Sequence, residues 1–319
     1  MHKYTTKSET LCRYWLAGVI TVIIVVAASS SVVHAQDARQ EKFKSPEDAF
    51  SALIEATKGN DIVKLMAIFG PQGKYIISSG DAVEDSNARK RFVKAAEEAV
   101  KFTKLDDNTV LAVIGKDACS FPIPIVRSDQ EWAFSTDDGR QEIITRRIGK
   151  NELSVIQVAK AHVAAQLEYY RKDRDGSGVL QYAQRFISHE GKKDGLYWKA
   201  GAGEEGSPLG PLFVRATEEG YTVKKPGEKH KPYHGYYFKI LRSQGSKAPG
   251  GELDYVINGR MTAGFGFLAY PAQYGVSGIM TFMVNQKGII YQKDLGPKTE
   301  EIARAVTKYD PDETWKALK

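Results

Sequence analysis

From Leu153 to Tyr170 the apolar positions Leu153, Ile156, Ala159, Val163, Leu167 and Tyr170 recur at helical spacing. This predicts one long amphipathic helix beginning near Asn151 and ending at Arg171. It is followed by a Gly/Pro-rich stretch to about Lys231, interrupted by a short helical run at 208–219. Strand candidates then follow one another: Gly235–Leu241, Leu253–Ile257, Phe265–Tyr270, Gly278–Val284 and Ile289–Gln292. Asn285-Gln286-Lys287-Gly288 reads as the hairpin turn between the last two. A long helix followed by a run of short strands requires the strands to form an antiparallel meander that buries one face on the helix. Tyr236, Phe238, Tyr255, Phe265, Phe267, Tyr270, Phe282 and Tyr291 alternate as strand residues do and are expected to pack between the two, with any exposed ones free to meet a glycan or another protein.

A different grammar precedes this half. Ser45-Pro46-Glu47-Asp48 opens a helix, because serine caps, proline suits the first helical position and two acids complement the dipole. Gly59-Asn60 closes it, Asp61 opens a second helix and Gly70-Pro71 stops that one. A third is predicted from Asn87 to Lys101. Thr109–Ile114, Ser120–Val126 and Glu131–Phe134 then read as strands. The expected fold class is α+β, with N-terminal helices plus a small antiparallel sheet over 45–148 and a long helix on a β-meander over 149–319. At the C-terminus, Asp310-Pro311-Asp312-Glu313 predicts a short helix that docks Trp315 onto the sheet.

Residues 1–35 carry a signal-peptide pattern, followed by a polar lead over 36–44. Lys3, Lys7 and Arg13 precede the uncharged run Trp15–Val26, and Val33-His34-Ala35 is a small-x-small cleavage site. The stretch from Tyr14 to Val33 is also about long enough to span a bilayer. The Ala/Ser-rich tail from Ala27 to Ser31 favours cleavage, so an exported periplasmic or extracellular protein, with no membrane segment after processing, is expected. Removal of the leader takes Cys12 with it and leaves Cys119 alone in an apolar setting, so an intramolecular disulfide is ruled out. The charge excess of 45 Lys+Arg over 39 Asp+Glu is scattered along the chain, which argues against a nucleic-acid partner.

No reaction motif emerges. Asp173-x-Asp175-x-Ser177-Gly178 matches the first half of a calcium loop, with oxygen ligands at alternate positions before a glycine turn. Its twelfth position is the neutral Gln184 instead of a bidentate acid, so a polar turn closing the long helix is the competing reading. His230 and His234 have zinc-like spacing but flank Pro232, and His189-Glu190 lacks the second histidine of a metalloprotease helix. His162 is expected as a hydrogen-bonded core residue. Gly201–Gly206 fits a dinucleotide pattern in letters only, and neither a Walker loop nor a nucleophile elbow occurs. No cofactor is expected.

Three resemblances add to this reading. The helices followed by strands and an aspartate-rich turn after Trp132 are similar in element order to the nuclear transport factor 2-like fold. The second half resembles the globular part of type IV pilins and pseudopilins, although its helix opens on Lys150 and Glu152 instead of the hydrophobic segment that packs a filament. The runs Gly195-Leu196-Tyr197-Trp198, Ser207-Pro208-Leu209-Gly210-Pro211-Leu212, Tyr233-His234-Gly235-Tyr236-Tyr237-Phe238 and Thr281-Phe282-Met283-Val284-Asn285-Gln286, with Asp310-Pro311-Asp312 and Trp315, resemble the bacterial family called domain of unknown function 2950. This last resemblance implies a secreted envelope protein and brings no catalytic residue or cofactor. The expected function is therefore a non-enzymatic interaction or scaffolding module that meets envelope proteins or the cell wall. The alternative is a small-ligand binder or hydrolase whose pocket in the N-terminal half gathers residues such as Asp81, Arg89 or Trp132.

Overall fold

The computed structural model describes residues 40–222 and 231–318. The signal-peptide pattern over 1–35 and His230 lie outside the described residues. The described residues divide into two compact units, one formed by those up to Ser78 with Asp85–Ile143, the other by Ser79–Glu84 with those from Ile144 onward.

In the first unit, α1 (Pro46–Lys58) starts as its cap predicts: the Ser45 hydroxyl accepts the Asp48 N–H at 3.0 Å. Asp61 caps α2 (Ile62–Phe69) in the same way through the Lys64 N–H at 2.9 Å. After a 3₁₀ turn at Pro71–Gly73 come α3 (Lys74–Ile77) and α4 (Ala82–Glu98). The sheet contains β1 (Val100–Asp106), β2 (Thr109–Ile114), β4 (Ile125–Ser128) and β5 (Glu131–Phe134) in that order, with β3 (Cys119–Ser120) paired to β2. Along β2, Val110, Ala112 and Ile114 are buried and their neighbours half-buried, the two-residue period of a strand with one face on the core. Phe50 lies at the centre of that core, in edge contact with Phe92, Phe102 and Phe121 at ring distances of 5.9, 5.9 and 5.6 Å.

Three local expectations are corrected here. The third helix ends at Glu98 instead of Lys101, because Val100 and Lys101 pair with Ile114 and Val113 as the start of β1. The run Ser120–Val126 is two short strands, because Pro122 and Pro124 between them have no N–H to give the ladder. The long helix, α5 (Thr136–Tyr170), begins well before Asn151. Asp137 and Asp138, read as a turn, are the acids of its first turn, where they complement the dipole. Gly139, a residue of low helix propensity, sits inside this helix because a Cβ there would lie 2.5 Å from Ile123 Cα and 2.6 Å from the Pro122 carbonyl oxygen. The close approach of two backbones fixes the residue. Gly139→Ala is expected to lower stability by about 1–2 kcal/mol, overpacking outweighing the roughly 1 kcal/mol helix-propensity gain. A urea midpoint at or above that of the parent would show that the Ile123 backbone yields freely.

In the second unit, α6 (Gly210–Glu218) precedes the main sheet, ordered β14-β13-β12-β11-β6. These strands are β6 (Tyr236–Leu241), β11 (Gly266–Pro271), β12 (Met280–Asn285), β13 (Tyr291–Asp294) and β14 (Lys316–Ala317). Short pairs join β7 (Ser243–Gln244) to β8 (Leu253–Asp254) and β9 (Val256–Ile257) to β10 (Arg260–Met261). Every residue of β11 is buried. One face of the sheet, with Tyr236, Phe267, Ala269, Phe282 and Val284, packs on Val155, Val158 and Ala159 of α5. The other, with Leu241, Leu268, Tyr270 and Met283, packs on Ala303 of α7 (Thr299–Ala305), on Tyr309 and on Trp315.

A sheet covered on both faces leaves little aromatic surface for a partner. Of the alternating aromatics, Tyr236, Tyr255, Phe265, Phe267, Tyr270 and Phe282 are buried, and Phe238 and Tyr291 half-buried. The closing segment also differs from expectation: Trp315 is buried but lies in a turn, its N–H bonded to the Asp312 carbonyl at 3.0 Å, before β14. The reason is that Asp310, expected as a helix cap, instead accepts the N–H groups of Lys247 and Ala248 at 2.8 and 3.0 Å. No helix among the described residues is long and apolar enough to cross a membrane.

Candidate functional site

The end of α5 feeds directly into a cleft of the second unit, about 900 Å³. Its walls come from Tyr169, from the 174–185 segment, from the turn Gly191–Asp194, and from Asn258–Arg260. Among the bonds that join these distant stretches is the Tyr182 N–H on the Met261 carbonyl at 2.7 Å, with Tyr182 stacked on Tyr170 at 4.5 Å. Arg174, Arg185, Lys192, Lys193 and Arg260 line the cleft against Asp175 and Asp194. The net positive lining favours an anion.

Asp173, Asp175 and Ser177 fall together in one loop at the rim. Gly176 and Gly178 take positive φ values of 69° and 74°, which lets the backbone curl around the Asp173 carboxylate. That carboxylate accepts the N–H groups of Asp175 (3.2 Å), Ser177 (3.2 Å) and Gly178 (2.7 Å). Asp175, the member that lines the cleft, accepts the Ser177 N–H at 3.2 Å and the Gln181 amide at 2.8 Å. Hydrogen bonding from Ser177, ahead of its other partners, holds the Asp175 carboxyl below the usual range. Gln184, at the twelfth position of the loop pattern, donates to the Gly259 carbonyl at 2.7 Å. Among the described residues no group of three or more His, Cys, Asp or Glu side chains is placed to hold a metal.

Arg174 is the unusual member of the cleft. Its side chain is only 4% exposed, with the guanidinium carbon 5.0 Å from the Tyr169 ring centre and 5.1 Å from that of Trp198. Its polar contacts are long: Nε to the Tyr169 carbonyl at 3.4 Å and Nη1 to Glu205 at 3.4 Å. Nη2 is buried without a hydrogen-bond partner. Tyr169 donates its hydroxyl to the Lys193 carbonyl at 2.7 Å, and burial pushes its phenol up to about 12.

At one wall, His189 Nδ1 lies 2.6 Å from Asp194 Oδ2 while Arg185 Nη1 lies 2.6 Å from His189 Nε2. A guanidinium only donates, so Nε2 offers its lone pair and the ring is the neutral Nδ1–H tautomer. Burial opposes ionisation of Asp194, but the His189 backbone and ring N–H bonds together with the nearby Arg185 charge hold its carboxyl low. The neighbouring Ser188 hydroxyl accepts the Gly195 N–H at 3.0 Å and donates to its carbonyl at 3.4 Å. The Asp–His pair is thus a structural clamp on the 185–195 turn.

The motif Tyr233–Phe238 occupies a different part of the second unit. Asp81 is 2% exposed and its Oδ2 accepts the Tyr221 hydroxyl and the Gly235 N–H, each at 2.9 Å. Its Oδ1 accepts the Val83 and Glu84 N–H groups at 3.2 and 3.1 Å, capping α4. Gly235 is required here: its φ is 73°, and a Cβ would lie 2.6 Å from Asn151 Nδ2. His234 takes a φ of 47° and directs Nε2 to Glu219 at 3.1 Å.

The residues proposed for an N-terminal pocket are held by separate local contacts. Asp81 belongs with the second unit, Arg89 donates to the Ile77 carbonyl at 3.3 Å, and Trp132 pairs with Phe43 against an apolar interior filled by phenylalanine rings. His162 is in the core, but neither nitrogen is hydrogen-bonded; it stacks on Phe267 at 4.7 Å between Phe186 and Phe265. Cys119 is half-buried on β3. Sequence reasoning missed Arg174 altogether, since its ring partners and its open donor leave no local signature.

These features define a two-unit α+β protein whose long helix ends at a basic cleft. The chain belongs to the family described as Protein of unknown function (DUF2950), whose model matches residues 40–318. No curated protein matches it, and no solved structure does.

Proposed function

We propose that the protein is an exported, non-enzymatic envelope module that holds an anionic partner in the cleft of its second unit. The observation that carries this reading is the cleft lining, five cationic side chains against two carboxylates in about 900 Å³. Export rests on the pattern Lys3, Lys7, Arg13, the Trp15–Val26 run and Val33-His34-Ala35. The pilin-like layout of helix and meander agrees with a contact role and carries no assignment of filament assembly. The Asp173, Asp175 and Ser177 loop enters as the rim of the cleft, with the polar-turn role placed ahead of calcium binding.

The test uses the full chain with its leader, expressed in a bacterium and fractionated. The exported protein is expected to begin at Gln36 and to be retained on isolated envelopes. Replacing Arg185 and Arg260 together by glutamate is expected to weaken retention about tenfold, and raised salt to weaken it in the parent. Equal retention of the charge-reversed protein would remove the cleft from the function, and recovery of an unprocessed cytoplasmic protein would remove the export.

A further inference from the structure

The cleft combines two kinds of recognition group. Among its lining residues Arg174 is held between the Tyr169 and Trp198 rings with Nη2 unpaired and its side chain 4% exposed. Gln181, Gln184 and Asn258 line the same cleft, together with the Asp175 carboxylate. The amides of Gln181 and Gln184 each donate inside the wall, to Asp175 and to the Gly259 carbonyl, which fixes their planes and presents an acceptor oxygen on each. Fixed acceptors suit hydroxyl groups, and a desolvated guanidinium suits a planar carboxylate.

From this juxtaposition we infer that the cleft binds a saccharide bearing a carboxylate, with the carboxylate on Arg174 and the sugar hydroxyls on the amide and acid oxygens of the wall. The inference deepens the proposed function and rests on the cleft being the binding site. A carboxylate fits better than a phosphate dianion, because Asp175 and Asp194 stand in the same cleft and repel the second charge. Burying a guanidinium with an open N–H costs about 1–3 kcal/mol unless an acceptor arrives. The rings hold Arg174 in place for that acceptor, so little side-chain entropy is lost on binding. Glu205 partly neutralises Arg174 from 3.4 Å while its other oxygen takes Lys172 at 2.6 Å. It therefore competes with the ligand for the same guanidinium.

Two sources supply this chemistry: hexuronate polysaccharides and the muramic acid of cell-wall glycan whose stem peptides have been removed, which frees the lactyl carboxylate. Calorimetry on the full mature protein distinguishes them, with trigalacturonate, its methyl ester, N-acetylmuramic acid and inorganic phosphate as the probes. One of the two acidic sugars is expected to bind, and the methyl ester at least about tenfold more weakly. Arg174→Gln is expected to abolish binding, and Glu205→Gln to tighten it by about threefold to tenfold through removal of the competing carboxylate. A merely structural Arg174 would not produce the gain in Glu205→Gln. The methyl-ester comparison needs no variant, so misfolding of Arg174→Gln leaves the test intact. Equal binding of acid and ester, phosphate binding as tightly as the sugar acid, or no binding of either sugar acid would overturn the inference. If envelope retention through Arg185 and Arg260 persists while both sugar acids fail, this inference falls and the broader reading stands.

Discussion

Replacing His162 by leucine is expected to make the protein more stable at neutral pH and markedly less sensitive to acid. His162 is 1% exposed, packed among Phe186, Phe265 and Phe267, and both ring nitrogens lack a partner. Two unsatisfied polar atoms in an apolar box cost about 1–3 kcal/mol, which a leucine of similar volume removes. Burial lowers the imidazole to about 3, so the folded protein keeps the ring neutral where the unfolded chain takes a proton. The unfolded ring titrates near 6.5. Stability is therefore lost as pH falls from about 6.5 towards 3, at about 1.4 kcal/mol per pH unit. By pH 4.5 the loss from this one residue reaches about 3 kcal/mol. Urea midpoints of parent and His162→Leu at pH 7 and pH 4.5 measure both effects, and a gap that fails to widen in acid would refute the account.

The opposite outcome is expected at Asp81. Asp81→Ala removes the acceptor of four hydrogen bonds and strands the Tyr221 hydroxyl and the Gly235 N–H in the interior. Loss of a helix cap alone costs about 1 kcal/mol, and stranding buried donors about 1–3 kcal/mol more for each. A total of about 3–7 kcal/mol would populate unfolded protein at ambient temperature. Burial, and next the Asp81 carboxylate, raise the Tyr221 phenol beyond its ordinary range, so that hydroxyl remains a donor throughout the accessible pH range. Thermal melting of Asp81→Ala beside Asp81→Asn separates the lost acceptor from the lost shape. An alanine variant melting within a degree of the parent would show that the network is dispensable.

Local signals were legible and long-range ones were not. Ser45 and Asp61 announce their helices because a cap acts within one turn, and β2 and β5 have the boundaries that their alternation predicts. The start of α5 was hidden because Gly139 is selected by the backbone of Ile123, which no window around residue 139 reveals. Helix α7 is too short for a periodic pattern, although Glu300 and Arg304 mark its two ends. At the candidate site the Asp173–Gly178 loop was legible as an oxygen-rich turn. The cleft was not, because the pairing of Tyr182 with Met261 brings its walls together from nearly 80 residues apart. The double coverage of the meander was likewise unreadable, since alternation looks the same whether the second face meets water or another apolar layer.

The assignment of Ser79–Glu84 to the second unit bears on the order in which this chain can be made. Asp81 leaves the ribosome ahead of the Asp85–Ile143 part of the first unit, yet its side-chain partner Tyr221 follows 140 residues later and the Gly235 N–H 154 residues later. Until they arrive, its carboxylate has only the α4 cap to satisfy. The second unit therefore cannot close domain by domain from the N-terminus, and contacts of such separation make its closure slow. A nascent chain stopped short of Gly235 holds a first unit with a borrowed segment still waiting, so folding of the second unit is an event that belongs to the nearly completed polypeptide.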